Sequence, residues 1–215
     1  MTDRILLVTA QLNPVVGDIA GNLAKVRAAH AEARTRGGDM VLFPEMFLMG
    51  YPPEDLVLKP SAVEACRTAL DELAAITREG PAILIGLPWR QNKRLHNAVA
   101  LLDEGRLVAL RFKHELPNYA VFDEKRVFEP GPVPEIVKWR GIKLGLPICE
   151  DLWLGDQRAG CEFRFKLDDI DNGQFEVGFF DPLTDEKLSA LNDIDTPTIT
   201  NGAADVACIA RDTGQ

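Results

Sequence analysis

Three apolar stretches end on a reactive side chain where a loop begins. They are "VLFPE", ending on Glu45, "ALRFK", ending on Lys113, and "GLPIC", ending on Cys149. In layered α/β folds, functional groups gather at strand ends, because loops there hold chemistry that a core cannot. A carboxylate, an ammonium and a thiol make a nucleophilic set that needs no histidine. The thiol must become a thiolate to attack a carbonyl or nitrile carbon. A carboxylate can take that proton if low polarity and a neighbouring negative charge raise its proton affinity. A fixed lysine balances the charge and, with the backbone N–H after the cysteine, can hold the oxyanion of a tetrahedral intermediate. Spacing alone does not establish the set, since a Glu, a Lys and a Cys at three strand ends occur by chance in many domains.

The elements that must position these groups follow from periodicity. "RILLVTA" (4–10), "DMVLFPE" (39–45) and "AILIGLPW" (82–89) read as buried strands. Between them, "GNLAKVRAAHAEARTRGG" reads as a helix with Leu23, Val26, His30 and Ala33 on one stripe. "SAVEACRTALDELAAITREG" (61–80) reads as a helix capped by Ser61, with Glu64 completing a capping box. Its buried face is Val63, Cys66, Leu70 and Leu73. "LHNAVALLDEGRLVALRFK" (95–113) is a hairpin turning at "DEGR", and "EIVKWRGIKLGLPIC" (135–149) another turning at "RG". A proline-rich loop spans 116–134. Apolar strands alternating with helices indicate a layered α/β fold of mixed strand direction.

The remaining histidines and thiols read as structural. His114 adjoins Lys113, and adjacent strand residues point to opposite faces, which argues against a Cys149–His114 dyad. His30 lies on a helix's core stripe and His96 in a strand. Cys66 belongs to a buried helix face. The four cysteines (66, 149, 161 and 208) show no CxxC spacing, so free thiols are expected and a zinc site is not. "DDIDNG" lacks the acid spacing of a calcium loop and reads as a β-turn.

Composition narrows the function classes. A net charge of −9 disfavours nucleic acid as a main partner. No apolar run reaches the roughly 20 residues of a membrane helix, and the N-terminus lacks the pattern of a secretory signal. A cytoplasmic location is expected. The charge is uneven: residues 1–153 carry 19 basic and 20 acidic residues, whereas 154–215 carry 5 and 13. Such a shift marks a change of domain or of origin.

The residues around the three strand ends carry a family resemblance. "FPEMFLMGYPPEDL", "KHELPNYAVFDEKRVFEPG" and "GLPICEDLW" resemble the signature blocks of the nitrilase (carbon–nitrogen hydrolase) superfamily. More narrowly, they resemble the glutaminase domain of glutamine-dependent NAD synthetases. The resemblance covers about residues 4–154 and implies an αββα sandwich. It implies Glu45 as general base, Lys113 as oxyanion stabiliser and Cys149 as nucleophile. Glu124 matches a second glutamate that orients the lysine, Tyr119 and Phe122 match residues shaping a glutamine pocket, and Glu150 matches an acid that helps bind the substrate's α-amino group. The implied reaction converts L-glutamine to L-glutamate and ammonia through a thioester, in the service of NAD biosynthesis.

No cofactor is implied for this chemistry. ATP and magnesium belong to the family's synthetase domain, whose SGGxDS-type loop is not found here. That domain or subunit is the expected recipient of the ammonia, in a family whose full-length members form homo-oligomers. After Trp153 the resemblance stops. Residues 1–153 are expected to be an incomplete nitrilase-like glutaminase domain, and 154–215 an unassigned acidic segment. There "CEFRFKL" and "QFEVGFF" alternate like antiparallel strands, "DEKLSALNDID" suggests one short helix, and "DTPTITNGAADVACIARDTGQ" suggests two weak strands. A nitrilase-type amidase acting on another substrate, or an inactive fragment with a β-rich binding or structural module, are the alternatives.

Overall fold

The computed structural model describes residues 5–133 and 135–152, and beyond these the backbone of four strands. It divides into two compact units, residues 1–132 and 133–215. The first contains a five-stranded sheet in sequential order: β1 (Leu7–Thr9), β2 (Met40–Leu42), β3 (Ala82–Gln91), β4 (Arg94–Asp103) and β5 (Arg106–Phe112). The first three strands run parallel and are joined by two helices, α1 (Ile19–Thr35) and α2 (Pro60–Ile76). The last three are antiparallel and joined by tight hairpins.

Hairpin chemistry explains the antiparallel half. Glu104 and Gly105 both have positive φ, 51° and 80°, as the mirror-image turn of a two-residue hairpin requires. The β3–β4 connection uses Asn92 and Lys93 at φ 51° and 66°. Without glycine, that turn carries little signal in the sequence.

The helices pack on the sheet and on each other. Val26, His30 and Ala33 of α1 are buried as expected, but Asn22 rather than Leu23 completes the buried stripe. Leu23 lies at the margin of the core. Asn22 is buried because it is satisfied: it donates to the carbonyls of Val15 (2.8 Å) and Leu48 (3.2 Å) and accepts from the Val15 N–H. The helix starts at Ile19, capped by the Asp18 carboxylate on the Gly21 N–H.

In α2 the expected face of Val63, Cys66, Leu70 and Leu73 is buried. Its capping is corrected. The helix begins at Pro60, with Lys59 as the boundary residue and no side-chain cap, so Ser61 lies inside the first turn and forms no capping box with Glu64. A proline at the first helical position has its φ already set and has no N–H to satisfy.

The second unit holds an antiparallel sheet in the order β11-β7-β6, built from β6 (Val137–Trp139), β7 (Ile142–Gly145) and β11 (Cys208–Arg211). The turn at Arg140–Gly141 again has two positive φ values, 48° and 80°. A second sheet, β10-β9-β8, contains β8 (Glu162–Asp169), β9 (Gln174–Phe180) and β10 (Lys187–Ala190), all antiparallel. The two strands expected from alternation are therefore present. The short helix expected over 185–195 is not: residues 187–190 pair with β9, and strand pairing overrides local helix propensity. Of the two weak strands expected after Asp195, β11 is one; the other lies outside the described residues, as does most of "DDIDNG".

Among the described residues no helix is long and apolar enough to cross a membrane.

Candidate active site

Glu45 leaves β2 three residues after its last paired position. Phe43 is still tied to β3 through the Leu84 carbonyl at 2.9 Å, and Leu48 donates to the Gly86 carbonyl at 3.3 Å. Between them the chain turns sharply, with Met46 at φ 55°. The turn presses against β3 at Gly86. A Cβ built there would stand 2.3 Å from the Met46 nitrogen and 2.8 Å from the Glu45 Cα. Only glycine permits this approach. Gly86→Ala is therefore expected to cost about 1–3 kcal/mol of stability through overpacking in a central strand, measured by denaturant unfolding.

Lys113 follows β5 directly. Its N–H donates to the Asn97 carbonyl and its carbonyl accepts from the Gly131 N–H, both at 2.8 Å. Its side chain is fully buried. The Nζ lies 2.8 Å from Glu45 Oε1 and 2.9 Å from Glu124 Oε1. Glu124 comes from a 3-10 turn, Glu124–Arg126, inside the proline-rich loop. That loop is anchored by Leu116 and Phe128, which pack with Met46, Val57, Val63 and Leu95. Tyr51 donates its hydroxyl to Glu124 Oε1 at 2.9 Å, and Asn97 donates its amide to Glu45 Oε1. Arg126 ties the loop to the 54–58 turn through Asp55 and pairs within its own loop with Asp123. These pairs are exposed and contribute little energy each, so their effect is geometric.

The electrostatics follow from two carboxyls sharing one ammonium. Burial alone would push the Lys113 ammonium toward its neutral form, but the charges of Glu45 and then Glu124 outweigh it. Lys113 thus holds its proton well above the ordinary lysine range. Burial, reinforced by the Glu45 charge, pushes the Glu124 carboxyl up, against the pull of Lys113 and Tyr51. Glu124 Oε2 is buried with no hydrogen-bond partner among the described residues.

Cys149 belongs to the second unit. The buried residues Leu146 and Ile148 lead from β7 to it. The cysteine opens a 3-10 turn, Cys149–Leu152, and adopts φ 47°. A left-handed backbone costs a non-glycine residue roughly 1–2 kcal/mol. It is held here by local bonds: the Asp151 carboxylate accepts from the Ile148 N–H at 3.0 Å, and the Asp151 N–H donates back to the Ile148 carbonyl at 3.1 Å. Strain of this kind at a half-exposed thiol is a mark of functional sites. Glu150 is half-buried in the same turn.

Of the residues expected at the site, the fold thus brings Glu45, Lys113 and Glu124 into one cluster. Phe122 is half-buried, with its ring 5.6 Å from that of Tyr119 and 6.5 Å from that of Tyr51. Tyr119 itself is 55% exposed. His114 directs Nδ1 at the Gly131 carbonyl, 2.8 Å away. His30 contacts the Pro81 carbonyl at 3.0 Å, and His96 contacts the Glu129 carbonyl while stacking on Phe112. Cys66 is buried, which pushes its thiol up to about 12 and leaves it inert. Tyr51, Asn97 and Gly86 were not expected. Asn97 left one trace in the sequence, a lone amide within the apolar run "NAVALL".

A layered α/β unit that buries a lysine between one glutamate following a strand and another from a loop has the framework of a hydrolase of the nitrilase type. Comparison with known proteins agrees. The family model for carbon–nitrogen hydrolase matches residues 7–160, and the chain belongs to that family. The glutamine-dependent NAD(+) synthetase of Rhodobacter capsulatus is 45% identical over 156 residues, covering 73% of this chain and 28% of that protein. The Thermotoga maritima enzyme of the same name is 44% identical over 151 residues, covering 70% and 26%. The chain thus spans little more than a quarter of these relatives.

Among solved structures, glutamine-dependent NAD+ synthetase from Acinetobacter baumannii, in complex with ADP, matches with a TM-score of 0.65 and 32% identity, over 69% of this chain and 28% of that one. A mutant of the amidase from Nesterenkonia sp. AN1, showing the result of Michael addition of acrylamide at the active site cysteine, matches with a TM-score of 0.64 and 26% identity. It covers 73% and 62%. The N-terminal part of a nitrilase-like αββα sandwich expected from the sequence is therefore the observed fold class.

Proposed function

We propose that this chain is a glutamine amidohydrolase that supplies ammonia for NAD synthesis. The observation that carries the proposal is Lys113, fully buried and bridging Glu45 and Glu124. A buried lysine between two carboxylates is an expensive arrangement for a fold to maintain. It makes sense where charge must develop and be balanced during a reaction.

In the proposed reaction Glu45 takes the thiol proton of Cys149, and the thiolate attacks the δ-carbonyl of L-glutamine. Lys113 and the backbone N–H of Glu150 hold the oxyanion. The proton passes to the departing amide nitrogen, the carbon–nitrogen bond breaks, ammonia leaves, and a γ-glutamyl thioester remains on Cys149. Water, giving its proton to Glu45, attacks the thioester and releases L-glutamate and the thiol. Glu124 orients Lys113, Glu150 binds the α-amino group, and Tyr119 with Phe122 shapes the pocket. The ammonia passes to a synthetase domain or subunit, where ATP and magnesium would act. The names of these two relatives support both the substrate and the recipient.

The likeness to the amidase over 62% of that protein favours a second reading, hydrolysis of a simpler amide. One experiment separates the two. Purified chain is incubated with L-glutamine or with a short aliphatic amide, and ammonia is measured. Modification of Cys149 by a glutamine-like electrophile is mapped by mass spectrometry in parallel. Release from glutamine together with labelling at Cys149 is expected. Release from the short amide alone would select the second reading. Folded protein that neither releases ammonia nor labels at Cys149 would sink both.

A further inference from the structure

Glu45 does not use its two oxygens alike. Oε1 accepts twice, from Lys113 Nζ and from the Asn97 amide. Oε2 has no hydrogen bond to any described residue, while the side chain as a whole remains 12% exposed. We infer that Asn97 is a positioning residue, which pins Oε1 and thereby leaves Oε2 as the oxygen that takes and returns the proton. This rests on the reading of Glu45 as general base.

The placement of Asn97 supports this. It sits within β4, opposite Pro88 of β3 and one residue before the Ala98–Phe112 pair with β5. Its carbonyl receives the Lys113 N–H at 2.8 Å, so one residue fixes the backbone of the lysine and the carboxylate of the glutamate. Asn97 is 1% exposed, and its Oδ1 is buried without a partner. An amide that leaves its own oxygen unsatisfied pays for that in stability. A purely structural role would favour an apolar side chain of the same shape. The orientation of the amide is settled by its neighbour, since an ionised carboxylate only accepts and Nδ2 must face it. A hydrogen bond to the ionised form of a carboxyl favours that form. Among the described residues, the ionic contacts of Glu45 run to Lys113, from the end of β5, and through it to Glu124, which Tyr51 also contacts. Neither contact is made through the Asn97 side chain.

The test is Asn97→Leu in the full chain. It keeps the shape and the backbone bond to Lys113 but removes the donor. Carbon-13 labelling of glutamate follows the Glu45 carboxyl, assigned by its loss in Glu45→Gln. The Glu45 carboxyl resonance is expected to move at neutral pH on losing the Asn97 donor, and kcat for ammonia release should fall about tenfold or more while KM changes less than twofold. Asn97→Asp serves if the leucine variant does not fold. It replaces the donor beside Oε1 by an acceptor and should move the resonance and kcat likewise. A folded variant that keeps the parent's carboxyl resonance would overturn the inference, even if it were less stable. A moved resonance in a chain whose parent releases no ammonia would uphold the role of Asn97 in positioning the carboxylate and defeat the glutaminase reading instead.

Discussion

Lys113→Met is expected to destabilise the protein by about 3–5 kcal/mol at neutral pH, the usual cost of removing one partner from a buried ion pair. Methionine fills much of the space of the lysine stem, so the loss is electrostatic rather than a cavity. Without the ammonium, Glu45 and Glu124 face each other across a space they cannot both occupy as anions. Glu124, already pushed up by burial and by Glu45, would be pushed further once Lys113 no longer opposes that shift. The folded state then binds a proton more tightly than the unfolded chain, and stability falls as pH rises wherever that is so. Acidification from pH 7 toward 5 should therefore recover part of the loss in the variant. Lys113 of the parent works in the opposite range. Its folded-state proton affinity is raised, so its stabilisation is complete below the ordinary lysine range and is lost only as strongly alkaline pH is approached. Denaturant midpoints of parent and variant at pH 5, 7 and 9 check both halves. Adding Glu124→Gln to Lys113→Met should restore stability at pH 7 and flatten its pH dependence. If Lys113→Met were as stable as the parent at pH 7, Lys113 could not be what balances the two buried carboxyls.

How far the sequence anticipates this structure depends on the range of the interaction. Hairpins at Glu104–Gly105 and Arg140–Gly141 are legible, because a two-residue turn of this hand demands positive φ and glycine supplies it. The equivalent turn at Asn92–Lys93 is not, because its residues reach the same conformation without glycine. Ser61 misleads because a capping box is a local pattern, and Pro60 begins the helix two residues before that pattern would. At the site, Glu45 and Lys113 stand out as polar ends of apolar strands, and the surrounding motifs point to Glu124. Asn97 and Gly86 escape for another reason. Asn97 matters through a carboxylate 52 residues away, and Gly86 through the backbone of a turn on a neighbouring strand. Neither leaves a periodicity. Each becomes visible only when the register of β3 and β4 is known.

Glu45→Gln is expected to lower kcat/KM for glutamine by about 10²–10⁴, the usual worth of a general base, with little change in folding stability. The geometry allows this separation. A glutamine oxygen in place of Oε1 still accepts from Lys113 Nζ and from the Asn97 amide. The cluster changes from two carboxyls per ammonium to one, which relieves the repulsion on Glu124 and offsets the weakened bond to Lys113. What is lost is the free oxygen. In the proposed reaction an amide nitrogen in place of Oε2 could not take the thiol proton of Cys149, so both attack on glutamine and hydrolysis of the thioester would slow. Alkylation of Cys149 by a glutamine-like electrophile should slow as well, since it also requires the thiolate. Cys149→Ala gives the contrasting pattern: no alkylation and ammonia release at background, with the Glu45–Lys113–Glu124 cluster intact and its pH-dependent stability unchanged. Steady-state rates, alkylation rates and denaturant midpoints on the two variants therefore assign the proton acceptor and the nucleophile independently. A Glu45→Gln protein that retained the parent's rate would remove Glu45 from the chemistry and leave it only the structural part of its contact with Lys113.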